Sequence, residues 1–146
     1  MRALFERVAN YCFGYDFFVS YSHADGKQYP RLLKQRLEEA GFKVFLDQVE
    51  YAPGADLRRE TRRQVLKSRH LVVVARDNAL RSPWVSREVE TYLQSGRIPI
   101  LLDVNQSVEM FSDSSELAAI AQERHWLRLE ESVDNPDGKP TAHAVS

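Results

Sequence analysis

The chain has 146 residues, 43% of them hydrophobic, which suits one domain with a single core. Lys and Arg number 20 against 21 Asp and Glu, so no general attraction to nucleic acid or to an acidic membrane is expected. Cys12 is the only cysteine, which excludes an internal disulfide, and no apolar run suits a signal peptide or a membrane span. We therefore expect a cytoplasmic protein with neither nucleic acid nor membrane as partner.

The first third of the chain predicts two strands with a helix between them. Residues 15–21 are aromatic and β-branched, as in a strand, and a loop follows. Apolar residues then recur at helical spacing from Tyr29 to Ala40, and Gly41 is a stop signal. A short second strand at 43–46 leads into a long loop at 47–56.

The next predicted helix has a narrow apolar stripe and strongly basic faces. The stripe consists of Leu57, Thr61, Val65 and Leu66, and the cations are Arg58, Arg59, Arg62, Arg63, Lys67 and Arg69. Such a run is usually a solvated helix surface, and a partner-binding or phosphate-attracting face is the alternative.

The rest of the chain predicts three more strands and two helices. Residues 71–75 are apolar on both faces, as in a central parallel strand. Ser82 is a good N-cap and Pro83 suits the first helical position, so a helix should begin there. The remaining elements are a strand at 98–102, a weak helix around 116–122 and a strand at 126–129.

Strands that alternate with helices in this way predict a parallel sheet with helices on both faces. Ligands of such folds bind outside the carboxyl ends of the strands, which selects the loops at 22–25, 47–56 and 76–82.

The domain boundaries follow from the same pattern. Residues 1–14 form an N-terminal extension and 15–129 the domain. Residues 130–146 are polar, contain Pro and Gly, and predict a flexible tail or a linker to a missing downstream domain.

Several kinds of chemistry have no signature in the chain. No glycine-rich phosphate motif and no GxSxG elbow occurs, and the four histidines and one cysteine show no metal-ligand spacing. We expect no metal and no bound cofactor. The side chains that remain at the strand ends are Asp25, Asp47, Asp56 and Glu88, with Tyr21, Tyr51 and Trp84 as stacking surfaces.

Trp84 and Glu88 stand four residues apart and share one face of the helix that begins after Ser82. An aromatic wall beside a fixed carboxylate suits a ribosylated, positively charged base, and we expect Glu88 to face an open cleft. On spacing alone, the alternative is a core tryptophan and a solvated glutamate.

Linked motifs in a fixed order carry a family resemblance. They are YDFFVSYSHAD (15–25), VFLD (44–47), PGADL (53–57), SRHLVVV (68–74) and SPWVSRE (82–88). Together they resemble a TIR (Toll/interleukin-1 receptor/resistance protein) domain of bacterial type, over about residues 15–129. The resemblance implies a flavodoxin-like sheet of five parallel strands flanked by helices. It also implies homotypic TIR-TIR assembly through the 47–56 loop and cleavage of NAD⁺ in bacterial immune (antiphage) signalling.

The resemblance also implies roles for single residues. The catalytic glutamate falls on Glu88 and the preceding tryptophan on Trp84. The substrate-binding residues of the cleft floor and its lid are Tyr21, Ser22, His23, Asp47 and Gly54. This chain has Val85 where many relatives have Cys, and Ala55 and Asp56 where many enzymes have an aromatic ring. Tyr51 is the candidate for that ring.

Three functions are compatible with these residues. The first is an NAD⁺ glycohydrolase completed by self-assembly, with NAD⁺ as substrate and no cofactor. The second is a non-catalytic TIR-TIR interaction scaffold, and the third is another ribosyl-processing enzyme such as a nucleoside deoxyribosyltransferase. Glu88 favours the first over the second, because an adaptor needs no carboxylate beside Trp84.

Overall fold

The computed structural model describes residues 14–46, 59–124 and 126–131, where strands alternate with helices. The strands are β1 (Tyr15–Ser20), β2 (Val44–Leu46), β3 (Ser68–Ala75), β4 (Ile100–Val104) and β5 (Arg128–Glu131). The helices are α1 (Gln28–Glu39), α2 (Arg59–Lys67), α3 (Asp77–Arg81), α4 (Pro83–Gln94), α5 (Ser107–Met110) and α6 (Glu116–Glu123), and a 3-10 turn covers His23–Asp25.

All five strands are parallel and form one sheet in the order β2-β1-β3-β4-β5. Within it, Val19 of β1 lies between Leu46 of β2 and Val72 of β3. This confirms the predicted flavodoxin-like sheet flanked by helices. The strand order reverses between β1 and β3, and the crevice at such a reversal is where ligands of this architecture bind.

Both faces of the sheet are covered. Phe18 of β1 and Val89 of α4 belong to the core on one face, whereas Val19 of β1 and Leu33 of α1 belong to the core on the other. Burial on both faces explains why the central strands are apolar without alternation. Within the described ranges, no helix is long and apolar enough to cross a membrane.

Two short helices were not predicted from the sequence. Residues 76–82, interpreted as a loop, contain α3, whose first turn is capped by a carboxylate of the loop after β1. Helix α5 follows Asn105 and Gln106, which both have positive φ, and no helix was expected there.

The last two strands lie two residues later than predicted. β4 covers Ile100–Val104 rather than 98–102, and Ile98 is exposed. β5 covers Arg128–Glu131 rather than 126–129, so its last two residues, Glu130 and Glu131, belong to the sheet and not to the tail. Trp126 packs into the core just before β5 begins.

The basic helix is largely solvated on its charged faces. Arg59, Arg62 and Arg63 of α2 are exposed, as expected of a helix surface. Val65 is buried, whereas Leu66 is 42% exposed and therefore lies outside the apolar stripe to which it was assigned.

Candidate functional site

Helix α4 begins where the sequence predicts. The Oγ of Ser82 accepts a hydrogen bond from the backbone N–H of Val85 at 3.4 Å, and Pro83 occupies the first helical position. The first turn carries Trp84, which is half-buried, and the next turn carries Glu88. The cap therefore fixes the start of the helix that holds both candidate residues.

Glu88 is buried, with only 5% of its surface exposed. Its Oε1 accepts a 3.2 Å hydrogen bond from the hydroxyl of Ser20, the last residue of β1. This finding excludes the solvated glutamate and also corrects the expectation that Glu88 faces an open cleft. Glutamate is almost never fully buried unless it is paired, and buried carboxylates of this kind are typical of functional sites.

Ser20 was not predicted as a site residue from the sequence. It is 1% exposed and lies two positions after Phe18, which faces α4. Because alternate residues of a strand share one face, that spacing is the signal that would have placed Ser20 toward α4.

Trp84 is covered by a cation from its own helix. The guanidinium carbon of Arg87 lies 5.0 Å from the centroid of the Trp84 ring, within the range of a cation–π interaction. One turn of α4 therefore brings together an aromatic face, a guanidinium and a buried carboxylate. These are the groups that suit a base, a phosphate and a ribose.

Tyr21, Ser22 and His23 follow β1 directly. The rings of Tyr21 and His23 stack with centroids 5.0 Å apart at an angle of 23°. Tyr21 belongs to the core on the α1 face, so it points away from the face on which Ser20 contacts Glu88. The Oγ of Ser22 accepts a 3.3 Å hydrogen bond from the backbone N–H of Ala24 and caps the 3-10 turn.

The loops that leave β1 and β3 are held together by Asp25. Its Oδ1 accepts 3.0 Å hydrogen bonds from the backbone and side-chain N–H groups of Asn78, and its Oδ2 accepts one of 2.7 Å from the backbone of Ala79. Arg76 donates a 3.0 Å hydrogen bond to the carbonyl of Asp25. The strand ends at the reversal point are therefore fixed to each other.

The remaining candidates lie outside the described residues. These are Asp47, Tyr51, Gly54 and Asp56, all in the 47–56 loop, and their roles stay predictions. In the part of the chain that the structure describes, no group of three or more His, Cys, Asp or Glu side chains is placed to hold a metal ion.

A model of the TIR domain family matches residues 17–142. The chain belongs to the TIR domain family. The structural likeness agrees with this: 75% of this chain superposes on 69% of a chain from the TIR domains of the activated Roq1 resistosome directly recognizing the pathogen effector XopQ. The TM-score is 0.54 at 23% identity, which shows a shared fold.

Two curated relatives of this TIR domain are named as enzymes. NAD(+) hydrolase TcpA of Theionarchaea archaeon is 30% identical over 78 residues, which cover 53% of this chain and 24% of that protein. NAD(+) hydrolase ApTIR of Actinoplanes sp. is 33% identical over 108 residues, which cover 68% of this chain and 15% of that protein. The chain thus spans less than a quarter of the length of either relative.

Proposed function

We propose that this TIR domain is an NAD⁺ glycohydrolase that cleaves the nicotinamide–ribose bond, is activated by self-assembly and acts in bacterial immune (antiphage) signalling. The observation that carries the proposal is the buried carboxylate of Glu88, held by Ser20 one helical turn from Trp84. The names of the two relatives support NAD⁺ as the substrate.

The chemistry of the substrate explains why one carboxylate is sufficient. Nicotinamide leaves as a neutral base with the electron pair of the broken C–N bond, so no acid is needed to protonate it, while the ribose develops oxocarbenium-like positive charge. The ribose carbon then forms a C–O bond to a water molecule, which releases a proton. Glu88 stabilises that charge and accepts hydrogen bonds from the ribose hydroxyls. In a site shielded from water, such a preorganised group contributes about 3 to 4 kcal/mol to the transition state.

The neighbouring groups bind the rest of the dinucleotide. Trp84 offers a stacking face for a base, and the guanidinium of Arg87 attracts the pyrophosphate, whose geometry suits arginine. The further substrate contacts of the proposal are those that the family resemblance predicts: Tyr21, Ser22 and His23 after β1, and Asp47, Tyr51 and Gly54 of the 47–56 loop.

The low exposure of Glu88 supports activation by assembly. In the single chain this carboxylate is nearly inaccessible, so NAD⁺ reaches it only after a rearrangement. Contact with a neighbouring copy supplies the free energy for such a change and then shields the site from bulk solvent, apart from the water that the hydrolysis consumes.

The test is nicotinamide release from NAD⁺ by the purified domain over a range of concentrations, free in solution and tethered at high density on particles. The proposal predicts that the rate per molecule rises with concentration and with tethering. Self-association without nicotinamide release would instead support the scaffold. Cleavage of nucleosides with NAD⁺ left intact would support a deoxyribosyltransferase.

A further inference from the structure

We propose that Ser20 is a positioning residue for Glu88, an inference that rests on the proposed NAD⁺ cleavage. The hydroxyl of Ser20 donates the 3.2 Å hydrogen bond to Oε1 of Glu88, between residues 68 positions apart. Both side chains are buried, so the bond is shielded from competing water.

The backbone that carries Ser20 is fixed by the sheet. Ser20 is the last residue of β1, which pairs with a strand on either side, and it lies opposite Val73 of β3 in the register. Glu88, by contrast, reaches its position through a flexible side chain on a helix. A donor fixed to an interior strand of the sheet therefore restricts the carboxylate to one orientation, which is what transition-state stabilisation requires.

The hydrogen bond also acts on the charge. A donor to a carboxylate favours its ionised form, so the Ser20 hydroxyl stabilises the charged carboxylate of Glu88.

The kinetic experiment compares Ser20→Ala with Ser20→Thr and with the control Ser68→Ala in the tethered NAD⁺ assay. Ser20→Ala should lower kcat about tenfold and leave KM within about twofold, because the lost bond aligns the reacting group rather than binding the substrate. Ser20→Thr keeps the hydroxyl and should recover most of the rate. Equal losses in Ser20→Ala and Ser20→Thr, or an unchanged kcat in Ser20→Ala, would overturn the inference.

Ser68→Ala is the matched control. Ser68 is equally buried and its Oγ donates a 2.7 Å hydrogen bond to the Gln64 carbonyl, but it begins β3 and lies opposite Tyr15, at the other end of β1 from Ser20. Its loss should leave kcat unchanged. A matching loss in Ser68→Ala would mean that the rate reports general stability, and it would overturn the assignment to Ser20.

A second readout does not depend on catalysis. A crystal structure of Ser20→Ala should show the Glu88 carboxylate displaced or in more than one conformer, whereas Ser68→Ala should leave it in place. If the unmodified domain releases no nicotinamide, the proposed function fails and the position of the carboxylate still decides the role of Ser20. A single, unmoved Glu88 carboxylate in Ser20→Ala overturns that role whatever the rate.

Discussion

The hydroxyl of Tyr29, at the start of α1, donates a 2.9 Å hydrogen bond to Oε2 of Glu131, the last residue of β5. Both residues are buried and they are 102 positions apart in the chain. The guanidinium carbon of Arg76 lies 5.9 Å from the centroid of the Tyr29 ring, and the same guanidinium donates a hydrogen bond to the backbone carbonyl of Asp25. The outer strand is thus linked to the loop that follows β1.

Tyr29→Phe should lower the free energy of unfolding by about 1 to 3 kcal/mol, because it removes a buried hydrogen bond to a carboxylate. Tyr92→Phe is the comparison, since the Tyr92 hydroxyl donates a 2.9 Å bond to the neutral carbonyl of Arg69 and its loss should cost about 1 kcal/mol. Denaturant unfolding measures both. A smaller loss of unfolding free energy in Tyr29→Phe than in Tyr92→Phe would contradict this prediction.

The stability of the domain at alkaline pH tests the hydrogen bond between Tyr29 and Glu131. Burial, followed by the hydrogen bond and the charge of Glu131, raises the pKa of Tyr29 well above its ordinary value of 10.0. Above about pH 10 the unfolded chain therefore loses a proton that the native state keeps, and the free energy of unfolding falls as pH rises toward the native pKa. Below pH 10 this contribution is fully present.

In Tyr29→Phe, the free energy of unfolding should fall less steeply with pH, by up to about 1.4 kcal/mol per pH unit, because the variant has no phenol to titrate at this position. Unfolding curves between about pH 9 and pH 11 give the slope. Parallel slopes for the variant and the unmodified domain would contradict the buried, neutral phenol.

Asp25→Ala should destabilise the domain by about 1 to 2 kcal/mol, because it removes the cap of α3 and the tie between the two loops. Asp77→Ala is the control at the start of the same helix. Asp77 forms an exposed ion pair with Arg81, which is worth about 0.3 to 0.5 kcal/mol. Similar unfolding free energies for the two variants would show that the loops are not held through Asp25.

Arg87→Ala should expose the Trp84 ring and raise the quenching of tryptophan fluorescence by acrylamide, since the guanidinium covers that ring. The other tryptophan described, Trp126, is 5% exposed and adds little quenching. In the NAD⁺ assay, KM should rise severalfold while kcat changes little, because the role proposed for Arg87 is to bind the pyrophosphate and not to react. Unaltered quenching would mean that the cation does not protect the indole.

The order of elements could be predicted from the sequence because its signals are local. Apolar runs mark β1 and β3. The N-cap Ser82, followed by Pro83, marks the start of α4. The family motifs are local as well, and the motif at 82–88 is sufficient to indicate Trp84 and Glu88 as candidates.

The features that were missed depend on partners distant in the chain. Helix α3 has five residues, and its cap comes from Asp25, more than 50 positions earlier. The sequence around Glu131 is polar and predicts a tail, whereas in the structure the Tyr29 hydroxyl donates a hydrogen bond to its carboxylate. Ser20 sits in a strand buried on both faces, where the apolar pattern alone does not reveal which residue meets α4.

The role of Glu88 is tested most directly by nicotinamide release from Glu88→Gln and Glu90→Gln domains tethered at the same density, with melting temperatures measured in parallel. Glu88→Gln keeps the shape and removes the charge, so turnover should fall at least about a hundredfold, equivalent to about 3 kcal/mol. Its melting temperature should be unchanged or higher, because an ionised carboxylate is costly to bury. Glu90 is exposed on the same helix, and Glu90→Gln should retain most of the activity. A Glu88→Gln domain that melts like the unmodified one and cleaves NAD⁺ at a comparable rate would contradict the account.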